Sequence, residues 1–435
     1  MEKELKKLNQ EVTNDAKAVD LAWELSNYDD AGLEDICNNL DDENLARILE
    51  ETEEKNQIRI VDFLQNDRIL RVFSYMSKDD IVDILGEINF GRTKELINIM
   101  KYGDRKIIKQ LLGYRDDCAG GIMTTEYIAL NNSLNMKEAL ITIKEIVPKT
   151  ELIDIIFVVD AENKLLGTAQ LRDILISKED EILDNIVDRS FISVEPEIDQ
   201  EEVALLASKY NLTAIAVVNK RKAMLGIITI DDIVDVMVEE QTEDVLKMGG
   251  VAKEETLDST LWQSIRLRLP WLVINLITAF LAAMTVKSFE NTISQVVALS
   301  ATMSIVTGMG GNAGTQTVSI IIRNIAIGKV KLKDAGHLLL KEVFLGLING
   351  AAIGIITGII VAAIYSNVYL GIIIFLAMIG NLVVSGFFGL LIPLILDKFK
   401  IDPALSSSIF LTTATDVLGF FIFLSLANVF IAKLI

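Results

Sequence analysis

The sequence predicts a multidomain protein with a cytosolic α-helical part, an α/β part built from two repeats, and a polytopic α-helical membrane domain. Three observations carry this prediction: apolar residues at helical spacing near the amino terminus, a motif that returns at an offset of 59 residues, and five long apolar stretches after residue 261. Because apolar residues are distributed so unevenly over 435 residues, the chain must meet two kinds of solvent.

Charge is divided as unevenly as hydropathy. Residues 261–435 hold 6 of the 61 acids and 11 of the 41 lysines and arginines, which leaves 55 acids and 30 bases for residues 1–260. Such an acidic soluble part repels nucleic acid and anionic lipid, since counterion release from phosphate needs a basic surface. We therefore expect no nucleic-acid partner and favour a cation. For any single carboxylate, a surface that only confers solubility is an equally good interpretation.

The few cysteines and histidines argue against an enzyme. Cys37 and Cys118 lie far apart, and the first residues are charged rather than apolar, so we expect a reduced, cytosolic amino-terminal half. His337 is the only histidine, which leaves little support for a histidine-based zinc site or a Ser/His triad within one chain.

The first predicted domain, residues 1–120, is helical. From Leu33 to Tyr114 apolar residues recur at helical spacing, and short polar stretches separate the helices. Ser77 is expected to cap the helix that follows it. The simplest interpretation of this helical domain is that it is a scaffold.

Two related segments follow the helical domain. Residues 156–160 return as residues 215–219, and Leu166 and Gly167 return as Leu225 and Gly226. Each copy predicts a strand, a turn, a second strand and a helix that begins at an acid. These repeats resemble tandem CBS domains, at residues 121–187 and 188–237. The resemblance implies a pseudo-twofold module in whose clefts an adenine nucleotide such as ATP binds.

An acidic connecting helix and linker are predicted over residues 231–258. The helical pattern continues from Asp231 to Met248 and stops at a pair of glycines. Four acids are spaced three and four apart along one face of this helix, namely Asp232, Asp235, Glu239 and Glu243. Like charges at that spacing cost about 0.2–0.5 kcal/mol per pair, so the face requires counter-charge. With Lys247 as the only base in this run, divalent cations are favoured over salt bridges, and a solvated face is the alternative.

Residues 261–435 predict a membrane domain of five transmembrane helices. The apolar stretches cover about residues 265–287, 293–322, 337–365, 369–396 and 404–432, each with the ~20 residues that a bilayer requires. The second and third are long enough that we expect tilt or a broken helix. The flanking bases are Arg266, Arg268, Arg323, Lys329, Lys331, Lys333, Lys398 and Lys400. They fall in alternate loops, so we expect those loops to lie on the cytosolic side of the inner membrane. Five spans then leave the carboxyl terminus on the outer side.

Asp416 is interpreted as the only acid at membrane depth. It lies twelve residues into the fifth stretch, ~18 Å along the helix and close to the middle of the bilayer. A carboxylate there is costly unless it faces water, a partner or an ion, so it marks a transport path. Thr412 shares its helix face. The alternative is a polar group that bonds to a neighbouring helix.

The second stretch contains four glycines in seven residues, between Gly308 and Gly314. Glycines permit either unwound backbone beside a watery cavity or close helix packing. The polar residue within the cluster, Asn312, favours unwound backbone. Candidate pore-lining residues are Gly310, Gly311, Asn312 and Gly314.

One carboxylate per chain is a poor site for a divalent ion, but a twofold homodimer would bring two Asp416 side chains together. Mg²⁺ loses its waters reluctantly, and two carboxylates that touch a largely hydrated ion suit its chemistry. The sequence lacks the Thr-Val-Gly-Tyr-Gly run of potassium filters.

The order of these parts, with Gly310–Gly314 and Asp402–Val417, resembles the MgtE family of magnesium channels over nearly the whole chain. The resemblance implies a dimeric pore in which Asp416 contacts hydrated Mg²⁺ with Thr412 nearby. It also implies closure when cytosolic Mg²⁺ bridges the connecting helix, the CBS domains and the helical domain. The regulatory acids that it implies are Asp199, Glu201, Asp232, Asp235, Glu240, Glu243 and Asp244.

Three other functions stay open at this point. A secondary transporter with a coupling ion at the same site is the first, and sequence does not separate it from a channel. A membrane-tethered nucleotide sensor is the second, and it leaves Asp416 and the glycines unexplained. An intramembrane enzyme is the weakest, because we expect no second acid at membrane depth, no histidine pair and no Ser/Lys couple in the membrane part.

Overall fold

The computed structural model describes residues 15–25, 28–147, 150, 152–257, 259–330 and 332–434. The chain divides into two compact units, residues 1–237 and 238–435. The first fourteen residues of the predicted helical domain, and Lys331 among the predicted loop bases, lie outside the described residues.

The first unit begins with a helical domain. Its helices are α1 (Asp15–Leu25), α2 (Asp30–Asn39), α3 (Asp42–Glu50), α4 (Glu54–Phe63), α5 (Asn66–Phe73), α6 (Lys78–Glu87), α7 (Phe90–Ile99) and α8 (Tyr102–Leu111). The apolar residues at helical spacing form its core, and Leu45, Ile48 and Leu49 are fully buried. The predicted cap is confirmed, because the Ser77 hydroxyl accepts a hydrogen bond from the Asp80 amide.

Two α/β copies follow, with identical topology. The first contains β1 (Ala129–Asn131), α9 (Met136–Ile146), β2 (Ile155–Val159), β3 (Leu165–Gln170) and α10 (Leu171–Ile176), and the second contains β4 (Ser193–Val194), α11 (Gln200–Tyr210), β5 (Ala214–Val218), β6 (Met224–Thr229) and α12 (Ile230–Met248). In each copy the first strand pairs parallel to the second, which pairs antiparallel to the third. The predicted strand, turn, strand and helix of each repeat are confirmed.

The turns of the two copies interlock. The Leu165 amide donates to the Lys222 carbonyl over 2.9 Å, and the Met224 amide donates to the Asn163 carbonyl over 3.1 Å. The hairpins thus complete each other's backbone hydrogen bonds.

The helical domain and the second α/β copy share one hydrophobic core. Leu111 at the end of α8, Met123 in the connection, and Val203 and Ile233 of the second copy belong to the same buried cluster. The first copy has its own core, with Ile156 at its centre. Shared burial of this kind makes the helical domain and the second copy one packed body.

The second unit contains the end of α12 and the helices that follow it. These are α13 (Leu261–Lys287), α14 (Glu290–Gln295), α15 (Ala298–Ala326), α16 (Ala335–Tyr365), α17 (Val368–Lys398), α18 (Pro403–Val429) and α19 (Ile431–Leu434). Within the described parts of the chain, four helices are long and apolar enough to cross a bilayer: α13, α16, α17 and α18. Helix α15 has the length, at 29 residues, but its glycine, serine, threonine and asparagine residues lower its hydropathy.

The predicted break in the second apolar stretch lies at its start. Val296 and Val297 separate α14 from α15, whereas the third stretch is a single helix of 31 residues. A helix of that length measures about 46 Å, longer than the ~30 Å hydrocarbon core, so tilt is still expected for it.

Helices α16 and α17 pack backbone to backbone. Gly346, Gly350, Gly354 and Gly358 lie at intervals of four and are buried against α17. A Cβ atom added to Gly346 would lie 2.5 Å from the Leu382 carbonyl oxygen, and one added to Gly350 would lie 2.7 Å from the Ile379 Cα. Small residues at this spacing let two membrane helices approach closely.

Candidate functional site

The glycine cluster of α15 is helical throughout, so the expectation of unwound backbone was wrong. Gly310 and Gly314 are buried at helix contacts: an added Cβ would lie 2.1 Å from the Asn381 Nδ2 atom and 2.7 Å from the Leu411 Cδ1 atom, respectively. Glycine has a low helix propensity, and the close packing at these two positions compensates for it. Gly311 has open space around its Cα instead.

A second side of α15 is exposed and polar. Asn312 and Thr315 are exposed, Gly308 is exposed, and Gly311 and Ser319 are half-buried. Their spacing of three and four places them on one helix face. This face, which we call the α15 polar face, consists of these five residues and differs from the buried side that contains Gly310.

Helix α18 supplies the membrane carboxylate. Asp416 is half-buried, and among the described residues no side chain or backbone group forms a hydrogen bond or an ion pair with its carboxylate. Thr412, one turn earlier, is exposed and donates its hydroxyl hydrogen to the Ser408 carbonyl over 2.5 Å. Helices α15 and α18 are packed neighbours. The predicted acid and threonine therefore lie on a helix adjacent to the one that carries the α15 polar face.

Asn381 of α17 contacts both α15 and α18, and the sequence analysis did not identify this residue. Its side chain is fully buried and donates to the Val306 carbonyl over 2.8 Å, and it fills the space left by Gly310 and Gly419. Its Oδ1 atom has no hydrogen-bond partner in the described structure. One signal was available, because an asparagine within a long apolar stretch requires a polar partner.

A neighbouring serine strengthens the same contact. The Ser385 hydroxyl is fully buried and shares its one hydrogen between two acceptors, the Gly310 carbonyl at 2.7 Å and the Asn381 carbonyl at 2.8 Å. Interhelical hydrogen bonds of this type hold membrane helices in register.

Asp416 is not the only acid in the long apolar helices, and that part of the sequence interpretation was wrong. Glu342 lies in the first turns of α16 and accepts a hydrogen bond from the Thr317 hydroxyl over 3.1 Å. It also falls within the predicted third stretch. Thr317 is on the buried side of α15, away from the α15 polar face, so Glu342 acts as a structural partner there.

The first unit contains an acidic cluster that sequence reasoning did not identify. Its members are Glu50 of α3, Asp79 and Asp80 of α6, and Asp232 of α12. Burial, followed by the charge of Asp80, raises the pKa of Asp79 to about 6 and that of Glu50 to about 7. Burial and the charge of Asp79 raise the pKa of Asp232 to about 6, against a hydrogen bond from Thr229. Burial is the largest cause of each shift, and the charge of a neighbouring carboxylate from the cluster adds to it.

One atom of the acidic cluster is left without a partner. The Oδ1 atom of Asp79 is buried and accepts no hydrogen bond in the described structure. Throughout the described residues, no three carboxylate, cysteine or histidine side chains converge closely enough to coordinate an ion on their own. A hydrated divalent ion, which keeps most of its waters and touches one or two carboxylates, suits such an arrangement.

The predicted regulatory acids occupy different environments. In the second α/β copy, Asp199 is the cap of α11 and accepts from the Glu201 amide over 3.0 Å. On α12, Asp232 belongs to the acidic cluster, whereas Asp235 is exposed. Glu240 is half-buried on the same helix. The structure therefore does not gather all of these acids at one point.

Lysines neutralise an acid near the end of α12. Glu243 forms ion pairs with Lys247 and, at 3.4 Å, with Lys253 beyond the glycine pair. Burial and the charge of Asp402 raise the pKa of Asp244, and Lys247 opposes them. The sequence interpretation favoured divalent cations over salt bridges as the counter-charge of this helix, and for Glu243 the structure shows salt bridges instead.

Three family models match successive parts of the chain. A divalent cation transporter model, MgtE, matches residues 303–426, the MgtE intracellular N domain model matches residues 16–117, and a CBS domain model matches residues 183–239. Among solved structures, the cytosolic domain of the Mg²⁺ channel MgtE in complex with ATP aligns with 50% of this chain and 90% of that chain, at 27% identity and a TM-score of 0.49.

Three curated relatives are each named magnesium transporter MgtE. The Enterococcus faecalis protein is 35% identical over 74% of this chain and 71% of its own length. The Bacillus subtilis protein is 31% identical over 76% and 73%, and the Thermus thermophilus protein is 33% identical over 74% and 72%. The similarity covers most of both chains in every case. The protein therefore belongs to the MgtE family of magnesium transporters.

Proposed function

We propose that this chain forms a magnesium-selective channel, as a homodimer with five membrane helices per protomer, in the inner membrane. The observation that carries the proposal is the α15 polar face together with Asp416 on the neighbouring helix α18, whose carboxylate has no partner among the described residues. A single chain in lipid would expose these polar groups to hydrocarbon, at a cost of several kcal/mol for a carboxylate. A second copy across a twofold axis would enclose them and supply a second Asp416.

This arrangement suits Mg²⁺ that keeps its water. Two carboxylates would hold the hydrated ion, and the amide of Asn312 with the hydroxyls of Thr315 and Thr412 would bond to its waters. In this proposal α15 crosses the membrane with the four more apolar helices. Its lower hydropathy follows from the α15 polar face, which would line water rather than lipid.

The test is magnesium flux through purified protein in liposomes. Asp416→Ala is expected to abolish flux, whereas Asp397→Asn, which removes an exposed acid at the end of α17, is expected to leave it unchanged. A dimer of Asp416→Ala protein that conducts at the wild-type rate would refute the pore assignment. Single-channel currents separate a channel from a secondary divalent-cation transporter, because a carrier cannot pass ions at channel rates.

We further propose that cytosolic Mg²⁺ closes the channel by neutralising acids of the first unit and of α12. The acidic cluster supports this, since its carboxylates are charged at physiological pH only against mutual repulsion and burial. An ion that binds one conformation better than another shifts the equilibrium toward it. Of the regulatory acids implied by the family, Asp232 has the strongest structural support. Glu243 has less, because two lysines already compensate its charge.

The remaining expectations also stand as proposals. They are an amino-terminal half in the cytosol, a carboxyl terminus outside, the predicted domain boundaries, and ATP as a ligand of the CBS domains. A membrane-tethered nucleotide sensor without transport is the function that the liposome assay would exclude.

A further inference from the structure

One side chain joins the last turn of α12 to the first turn of α18. The Lys247 ammonium forms ion pairs with Glu243, one turn earlier on α12, and with Asp402, the residue that caps α18. The exposed fractions of these side chains are 20% for Lys247, 13% for Glu243 and 34% for Asp402. Because all three are largely shielded from water, their attraction is screened less than that of a surface pair.

An apolar contact lies beside this bridge. Met248, the next residue along α12, packs against a buried cluster that contains Val318 of α15 and Ala404 and Leu411 of α18. The end of α12 is thus held by an ion pair and by apolar burial at the same place. Apolar packing is non-directional, whereas the ion pair fixes which residue of α12 faces the start of α18.

Glu243 and Asp402 differ in whether a cationic partner remains when Lys247 is removed. Glu243 keeps a second cation, because Lys253 lies 3.4 Å from its carboxylate. In the part of the chain that the structure describes, Asp402 has no other cationic partner, and its Oδ1 atom accepts only from the Ala404 amide, over 2.7 Å. Loss of Lys247 would therefore leave Asp402 without counter-charge and would separate α12 from α18 electrostatically.

The charge on Lys247 is secure over the physiological range. Partial burial lowers the pKa of Lys247, but hydrogen bonds and charges from Asp402 and Glu243 raise it above the usual range for lysine.

We propose that Lys247 is a positioning residue of the gate, which couples α12 to the helix that carries Asp416. This inference rests on the proposed function, because it requires that α12 respond to cytosolic Mg²⁺. Asp402 begins α18, and Asp416 lies about 21 Å further along one continuous helix, so a displacement at the cap moves the carboxylate as well. Lys247 transmits a movement of α12 to that cap.

The test uses full-length protein and two readouts. The first is magnesium flux in liposomes as a function of Mg²⁺ on the cytosolic side. The second is hydrogen exchange of the amides that close α12, Gly250 to Lys247 and Val251 to Leu246, which does not depend on transport. The variants are Lys247→Gln, Lys247→Arg and Asp402→Asn, since asparagine keeps the capping oxygen and removes only the charge. Lys253→Gln is the matched control, because Lys253 pairs with Glu243 and, at 3.9 Å, with Glu239, but with no acid of α18 in the described structure.

In Lys247→Gln, we expect the half-inhibitory Mg²⁺ concentration to rise about tenfold and the α12 amides to exchange about tenfold faster, as for loss of one charged hydrogen bond. Asp402→Asn should change both readouts by about the same factor as Lys247→Gln. The double variant Lys247→Gln/Asp402→Asn should change them no further than either single variant does. Lys247→Arg should restore both readouts, and Lys253→Gln should resemble the wild type. Equal effects of Lys247→Gln and Lys253→Gln would overturn the proposal, because the charge of Glu243 alone would then matter.

The two proposals fail in different ways. If wild-type flux does not depend on cytosolic Mg²⁺, the proposed gating fails, and the coupling of Lys247 to a gate fails with it. If flux is gated but Lys247→Gln keeps the wild-type response, only the role of Lys247 is refuted, whatever its hydrogen exchange shows.

Discussion

Asp79→Asn is expected to stabilise the helical domain in the absence of Mg²⁺ and to remove much of its response to Mg²⁺. Burial and the neighbouring Asp80 raise the pKa of Asp79 from 3.8 to about 6. That difference corresponds to about 3 kcal/mol. At pH 8, where Asp79 is ionised, its carboxylate lowers the free energy of unfolding by this amount. Asparagine has nearly the same shape and no charge, so the variant avoids this cost.

The sign of the pH dependence follows from the same shift. A carboxyl group whose pKa is raised on folding favours the folded state below its unfolded pKa, and this contribution is lost as pH rises through the folded value. For Asp79 that window extends from about pH 4 to about pH 6. Without Mg²⁺, the wild type should therefore be better protected at pH 5 than at pH 8, and Asp79→Asn should differ less between the two.

Hydrogen exchange of the α6 amides in full-length protein measures the effect. At pH 8 without Mg²⁺, we expect at least about tenfold greater protection in Asp79→Asn than in the wild type, after correction for intrinsic exchange. Millimolar Mg²⁺ should protect the wild type and change the variant little. The control is Asp67→Asn, which removes an exposed acid of α5. Unchanged protection in Asp79→Asn at pH 8, or a full Mg²⁺ response in that variant, would refute the role of the acidic cluster.

Three predictions concern the membrane unit. Asp416→Asn should abolish magnesium flux with the dimer intact, as size-exclusion chromatography and a liposome assay together would show. Gly311→Leu should fold and block flux, since its Cα faces open space, whereas Gly310→Leu should fail to assemble because of its contact with Asn381; full flux through folded Gly311→Leu would contradict this. Asn381→Leu should lower the free energy of unfolding by about 1–3 kcal/mol, because it removes a buried hydrogen bond, and unfolding in denaturing detergent would measure it.

Local features of the fold could be predicted from the sequence because they depend on residues close in the chain. The repeated strands of the α/β copies, the cap at Ser77 and the end of α12 before its glycine pair all follow from spacing and residue type. The long membrane helices follow from hydropathy. These signals need no knowledge of what packs against the element.

The acidic cluster could not be predicted, because Asp79 and Asp232 are far apart in sequence. Only the shared core of the helical domain and the second α/β copy brings α6 and the start of α12 together. Glu243 is close in sequence to its partner Lys253, but Lys253 lies beyond the end of α12, where helical spacing no longer predicts which side chains meet. The conformation of the glycines was mispredicted for another reason, since their contacts with Asn381 and Leu411 outweigh their low helix propensity.

The close packing of α16 against α17 has a consequence for how the protein is made. Only Ser366 and Asn367 connect the two helices, neither residue is charged, and the Asn367 side chain accepts hydrogen bonds from the first amides of α17. A hairpin with so short a tip can enter the bilayer from one side without carrying a soluble loop or a charge across it. We therefore expect α16 and α17 to be inserted together during synthesis, with the glycine contacts formed before the last helix has left the ribosome.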